Sequence, residues 1–298
     1  MTTLDQLRVL RPAENVLAFY AGRVEGQRFA DGPNWVDDGA LSLGIASYVI
    51  YDGTEALIYD THISVQHAAF IRQTLNDLGI TRFTVVLSHW HLDHIAGTEA
   101  FADCTIIANR RTADHMAHHR AAIEAGTHHG APAINPLIMP THTFEGRAHI
   151  HIGRLHIDLI TANIHSDDAT VVWLAHPRLL LAGDTVEDCV TYVGEPDSFD
   201  THLADLDRLK ALNPRHILPN HGSPDIIAAG GYGPSLISAT QTYIRTLQCC
   251  KTDAALRAMP LQDLIAADLA DGTLHWFAPY KAVHAQNLER VMKKTPTV

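Results

Sequence analysis

The chain lacks any run of about 18 or more apolar residues, which excludes a transmembrane helix of ordinary length. It is poor in basic residues: 22 Lys and Arg stand against 33 Asp and Glu, a net charge of −11. A general nucleic-acid binder needs a basic surface to displace counterions. No Lys/Arg stripe and no appended nucleic-acid module is visible, so no nucleic-acid partner is expected. Cysteines number four, at positions 104, 189, 249 and 250; two are adjacent and none has framework spacing. Reduced thiols in a cytoplasmic protein are the simplest account. Residues 1–8 lack a basic start and a continuous apolar segment, so no secretory signal is expected there. Short-period repeats and low-complexity linkers are also missing. What remains is 298 residues with 46% hydrophobic content, enough for a large core in one or two domains.

Histidine, by contrast, is plentiful at 21 residues. Three of them, with one carboxylate, fall within the run Ser88-His89-Trp90-His91-Leu92-Asp93-His94, directly after a strand-like stretch at 83–87. Neutral imidazoles with a carboxylate are the donors zinc or another borderline divalent metal prefers. His89 and His91, two apart on an extended backbone, point to one side and can share an ion. The adjacent Asp93 and His94 diverge and can reach a second ion beside the first. This stretch reads as half of a two-metal hydrolytic centre. Further donors close other apolar runs: His165 after 159–164, Asp184 after 179–183, and His221 after 216–220.

Strand-like segments recur at 43–51, 56–59 and 83–87, with a helical pattern at 65–78 ended by Gly79. A second series follows at 104–108, 149–152, 155–161, 170–174 and 179–182. Helices are expected over 199–212, 234–248, 252–271 and 279–293. This alternation predicts mixed sheets covered by helices, an α/β architecture.

With these motifs in this order, the chain closely resembles the metallo-β-lactamase-fold hydrolase superfamily over roughly residues 40–225, including its lactonase and glyoxalase-II-like members. The resemblance implies a four-layer αβ/βα sandwich of two facing mixed sheets (α+β in some schemes), its metal ligands on loops along one edge. It implies one domain over 1–298 whose halves meet near 160–170. His89, His91 and His165 would bind the first metal, and Asp93, His94 and His221 the second. Asp184 would bridge the ions beside a water or hydroxide. Asp60, which closes the 56–59 strand, matches the family's earliest motif and is expected to support the site. One departure is visible: the third motif usually opens Gly-His, and here it is Ile164-His165. Two divalent ions are the implied cofactors, zinc foremost, with manganese or iron as alternatives from the same donor set.

A metal pair lowers the pKa of bound water towards neutrality, and Asp93 is placed to accept or relay the nucleophile's proton. No nucleophilic Ser or Cys is needed, and none stands out. Around this centre, residues 110–147 form an insertion, with a helical pattern at 111–125 that sets His115, His118 and His119 on one face. It reads either as a lid or as a solvated helix face. Tyr192 could line the pocket and donate to a substrate oxyanion; His62 could face the metals or serve a structural hydrogen bond. Cys189 reads as a packed thiol. Tyr232, in the turn Gly230-Gly231-Tyr232-Gly233, reads as a packing residue ahead of one placed near the site; Trp276, Phe277 and Tyr280 read as core or dimer contacts ahead of a substrate platform, and 234–298 as C-terminal helices.

The expected function is hydrolysis of a carboxylic bond in a small molecule: lactone, ester or thioester. The alternative is a β-lactam hydrolase, with an iron-dependent persulfide dioxygenase-like enzyme, a nuclease or a non-enzymatic metal scaffold further behind. A glutathione thioesterase is disfavoured by the lack of a basic C-terminal cluster, and a di-iron flavoenzyme by the lack of a flavin module. A homodimer is common among such relatives.

Overall fold

The computed structural model describes residues 3–26 and 28–293. The first two residues of the 1–8 stretch and the last five of the 234–298 segment lie outside them. Two mixed sheets form the centre. The first orders β1 (Arg8–Ala13), β2 (Val16–Ala21), β3 (Ile45–Asp52), β4 (Glu55–Tyr59), β5 (Arg82–Val86), β6 (Thr105–Asn109) and β7 (His142–Phe144) consecutively. β1 to β4 pair antiparallel and β4 to β7 parallel. The second sheet holds β8 (Arg147–Ile152), β9 (Leu155–Ile164), β10 (Ser166–Leu174), β11 (Leu179–Gly183) and β12 (His216–Pro219). Its order is β12-β11-β10-β9-β8, parallel between β11 and β12 and antiparallel elsewhere.

The first sheet is apolar on both faces because both are covered, which is why β2 to β5 read as near-continuous hydrophobic runs. Strand alternation divides the residues. Val16, Ala18, Tyr20, Tyr48, Leu57 and Tyr59 join the core shared with the second sheet. Leu17, Phe19, Val49, Ile58 and Val85 pack on the opposite side against α1 (Val65–Asp77) and its neighbours. Buried tyrosines pin the two sheets together. Tyr48 Oη donates to the Pro219 carbonyl at 2.5 Å, Tyr59 Oη to Thr170 at 2.6 Å, and Tyr20 Oη to Gly222 at 2.8 Å. The hydroxyls are therefore satisfied at depth, as buried phenols require.

The remaining helices are α2 (Leu92–Ile95), α3 (Arg110–Glu124), α4 (Phe199–Ala211), α5 (Pro224–Ala228), α6 (Ser235–Cys250), α7 (Ala254–Ala258), α8 (Leu261–Leu264), α9 (Ala266–Ala270) and α10 (Tyr280–Met292). Leu206 and Leu209 of α4, Ile237, Ile244 and Leu247 of α6 and Val291 of α10 cover the outer face of the second sheet. The result is the αβ/βα sandwich of two mixed sheets flanked by helices. Among the described residues, no helix is long and apolar enough to cross a membrane.

Three expectations are corrected. The 252–271 helix is broken into α7, α8 and α9. Pro260 stands between the first two, where it has no N–H to continue a helix. The chain passes from one sheet to the other at residues 145–146, not near 160–170, because β9 and β10 are one long hairpin within the second sheet. Strands β1, β2 and β7, the π-helical turn Val36–Leu41 and α5 add elements that the strand and helix pattern did not supply.

Candidate metal centre

Metal-type donors collect at the carboxyl ends of the parallel strands, where chain ends of an open α/β sheet converge. After β5 the chain carries Ser88 to His91 and enters the single turn α2, which contributes Asp93 and His94. β4 ends in Asp60, β11 in Gly183 before Asp184, and β12 runs into Asn220 and His221. His165 is the one residue between β9 and β10. Gly183 has φ +57°, and a Cβ there would lie 2.8 Å from Tyr59 Oη, so the turn presenting Asp184 favours glycine.

Two candidate metal-binding clusters result. In the first, His91 Nδ1 lies 2.9 Å from His89 Nε2 and 3.0 Å from His165 Nε2, three nitrogens facing one point. In the second, His221 Nε2 and His94 Nε2 lie 3.4 and 3.5 Å from Asp93 Oδ2. Asp184 Oδ2 stands between them. It is 3.1 Å from His94 Nε2, 3.3 Å from His221 Nε2 and 3.6 Å from both His89 Nε2 and His165 Nε2. The other oxygen, Asp184 Oδ1, is buried with no hydrogen-bond partner. A buried carboxylate oxygen left so is costly, and a cation beside it relieves that cost. The donor set fits a pair of divalent ions.

Partners on the far side of each ring fix which nitrogen faces inward. His221 Nδ1 donates to the Gly44 carbonyl at 2.6 Å, and a carbonyl only accepts, so in the neutral ring the Nε2 lone pair faces the cluster. His94 Nδ1 does the same to Asp60 Oδ2 at 2.8 Å, and His89 Nδ1 pairs with Ser88 Oγ at 2.9 Å. Such outer partners orient metal ligands and raise their basicity.

Electrostatics divide the histidines: against its burial, His165 of the first cluster is raised by Glu187 and Asp184. Burial, reinforced by neighbouring imidazoles, holds His89 and His91 well below the usual imidazole range. Burial also opposes charge on His94 and His221, but the carboxylates of Asp184 and Asp93 overcome it and hold both well above that range. Asp93 and Asp184 are driven low by the same imidazoles, against their own burial.

Asp60 is fully buried and lies behind His94. Besides His94, it accepts from the Ser88 backbone N–H at 2.6 Å and from Asn220 Nδ2 at 2.5 Å. His62 is buried and stacked on His67, centroids 4.8 Å apart. Its Nδ1 accepts from the Ile63 N–H at 3.0 Å, a structural contact. Tyr192 is half-buried, its ring 5.6 Å from that of His165 and lying beneath the Arg290 guanidinium, whose Cζ is 4.7 Å away. Cys189 is buried and directs Sγ to the His275 carbonyl at 3.0 Å. Tyr232 Oη donates to Asp188 Oδ2 at 2.8 Å, and Tyr280 Oη to Glu187 Oε2 at 3.0 Å.

Sequence reasoning missed Glu187, buried with Oε1 at 3.6 Å from His165 Nδ1. No motif marks it. It missed Asn220 as the second donor to Asp60, although adjacency to His221 was a usable signal. It also missed Asp168, whose Oδ2 accepts from the Trp90 N–H at 2.9 Å and from Thr112 Oγ1 at 2.8 Å, tying the first motif to α3. His115, Asp167 and Asp168 form another group of metal-type donors. There Asp167 is already paired with Arg111 and His115 at 2.8 and 2.7 Å, which makes it a brace.

The family model of the metallo-beta-lactamase superfamily matches residues 42–221. No curated protein matches the chain. Among solved structures, the DIM-1 metallo-beta-lactamase exposed to ceftazidime is similar at 21% identity and TM-score 0.59, over 81% of this chain and 97% of that one. A metallo-beta-lactamase from Pontibacter korlensis is similar at 18% identity and TM-score 0.61, over 80% and 99%. One from Hirschia baltica gives 17% identity and TM-score 0.55, over 80% and 97%. At such identities the likeness speaks for the fold.

Proposed function

Because the chain belongs to the metallo-beta-lactamase superfamily, we propose that it is a dinuclear metal-dependent hydrolase acting on a carboxylic bond of a small molecule. The observation that carries this reading is the position of Asp184 Oδ2, 3.1–3.6 Å from imidazole nitrogens of both clusters. One carboxylate shared by two ligand sets suits a bridged ion pair. His89, His91 and His165 would hold one ion, Asp93, His94 and His221 the other, and Asp184 both.

Bound ions would supply a polarised carbonyl and a water acidic enough to attack near neutral pH. The chain's own residues do the rest. Asp93, its carboxylate held low beside His94 and His221, would accept and pass on the attacking water's proton. Asp60 and Gly44 hold His94 and His221 in the ligating tautomer. Tyr192, whose ring is beside that of His165, would donate to a developing oxyanion; burial pushes its phenol pKa up, which keeps it protonated. Zinc is the proposed metal on the mixed imidazole and carboxylate donors. All four cysteines are unpaired, which supports a reducing, cytoplasmic setting.

For the bond, two readings stand. The similar solved structures named above are metallo-beta-lactamases, which favours a β-lactam amide. Lactones, esters and thioesters present the same acyl carbon and remain the second reading. The test is turnover by zinc-loaded protein of a cephalosporin, a penicillin, an acyl-homoserine lactone, an aryl ester and a thioester, with His91→Ala as control. Metal-dependent turnover lost in His91→Ala supports the hydrolase, and the preferred substrate assigns the bond. Failure of all five with both metals bound would sink it.

A further inference from the structure

Beside the first metal motif, His115, His119 and His128 gather around Trp90, the residue between His89 and His91, with His118 and His129 beyond them. His119 of α3 stacks on the half-buried Trp90 at 4.7 Å between centroids and 13° between planes. His128, just beyond α3, lies 5.1 Å from the same indole and 4.7 Å from His119. His118 is 4.7 Å from His119, and His129 is 4.3 Å from His128. The three rings of the first metal cluster stand 4.5, 4.9 and 4.9 Å apart. The imidazoles around Trp90 are thus as close as rings that share a point inside the centre. They differ in that no three of their nitrogens converge; His119 stacks on Trp90 and His128 is tilted against it. His118 and His129 are exposed, each in ring contact with its neighbour in the group.

Their protonation suits ligation. Burial first, then neighbouring imidazoles, holds His119 below its ordinary value and brings His128 down to about 4. Burial and the Arg290 charge hold His129 below its ordinary value too. Neutral imidazoles are the ligating form.

We propose that His119 and His128, joined by His118 or His129, bind a third, exchangeable divalent ion of the zinc, nickel or copper type. This ion would clamp α3 to the segment after it, beside the first metal motif. The site goes beyond the hydrolase reading and does not depend on which bond is cleaved. Imidazole donors select this class of metal over magnesium or calcium.

The test uses the full chain carrying two equivalents of zinc. Equilibrium dialysis should show a third zinc equivalent, weaker than the first two, that is lost in the His119→Gln/His128→Gln variant while the first two remain. Nickel added to the two-zinc protein should quench tryptophan fluorescence, with metal analysis confirming that no zinc leaves. The quenching should vanish in the double variant and in Trp90→Phe, which assigns the signal to that indole. A stoichiometry that stops at two in the wild type, or a third equivalent unchanged in the double variant, would overturn the proposal. Quenching that survives in Trp90→Phe would overturn it as well.

Discussion

Replacing Asp60 by Asn tests whether the second cluster depends on a carboxylate that touches no metal. Asn is the informative choice. Residue 60 has φ +67°, a left-handed conformation that Asn tolerates and most side chains do not, so the backbone is left alone. The Asp60 carboxylate faces three donors: the Ser88 N–H, Asn220 Nδ2 and His94 Nδ1. The Ser88 N–H cannot change its nature, so the amide oxygen must face it, and the amide NH2 then faces Asn220 and His94. Asn220 can turn over, because its Oδ1 has no partner to lose. His94 can accept from the new amide only by giving up its Nδ1 proton, which puts the proton on Nε2, the atom 3.1 Å from Asp184 Oδ2. A protonated Nε2 cannot ligate. Loss of such an outer partner typically weakens metal binding about 10–100-fold, or roughly 1.4–2.8 kcal/mol. Competition against a chromogenic zinc chelator should therefore show one site weakened by that factor in Asp60→Asn. The site of His89, His91 and His165 should change by less than about threefold, since none of those residues touches Asp60. Two unaltered affinities in a folded variant would refute the tautomer argument.

Glu195→Gln probes a carboxyl that burial and the nearby Asp167 and Asp168 push up to about 7. The folded state holds that proton more tightly than the unfolded chain, so its contribution is complete below about pH 4.5 and lost as pH rises through 7. The variant should therefore gain on the wild type by about 1 kcal/mol between pH 5 and 8 in denaturant unfolding, screening by solvent included; a pH-independent difference would contradict it. Gly97→Ala would place a Cβ 2.0 Å from the Thr61 carbonyl and 2.5 Å from Ala68 Cβ. Backbone cannot rotate away, so a loss of roughly 3 kcal/mol is expected, with weaker metal binding because α2 carries Asp93 and His94. A wild-type Tm in that variant would count against the packing. Zinc binding near pH 7 should release protons from His94 and His221, both held well above the usual range. Calorimetry in buffers of different ionisation enthalpy reads that release directly, and none at all would contradict the charge assignment. Chelation should lower Tm by roughly 10 °C if metals are present at about a thousand times their dissociation constants.

The donors of the clusters were legible because chemistry narrows the choice and topology sets the place. His89, His91, Asp93 and His94 lie in one run, and His165, Asp184 and His221 each follow an apolar stretch that becomes a strand. What supports them was less legible. Glu187 reaches His165 only because a loop folds back, and nothing local marks it. The β1–β2 hairpin was missed for two reasons. β1 is a half-exposed edge strand, Arg8 and Arg11 among its residues, and Pro12 interrupts its alternation. β7 has only three residues and gives no period to read. The boundary between halves was misplaced because the run from 155 to 174 changes character at His165, although the chain merely turns there within one sheet.

That turn also explains why the departure at the third motif is tolerated. A glycine before the histidine would matter if position 164 needed a left-handed backbone. Here the left-handed residue is His165 itself, at φ +68°, while Ile164 remains the last residue of β9. Asp60 and His62, at +67° and +65°, share that conformation, as does Gly183 at +57°. A non-glycine residue held there costs of order 1–3 kcal/mol and persists only where its surroundings over-determine it. The surroundings do so here. Asp60 is fixed by three donors, His165 by the Gly194 N–H on its carbonyl at 2.9 Å, and His62 by the Gly97 N–H on its carbonyl at 3.2 Å. Strands alone would carry these residues past the centre. At Asp60 and His165 the left-handed turn follows directly on the strand end, so part of the chain's backbone strain lies where a ligand and a support leave the sheets.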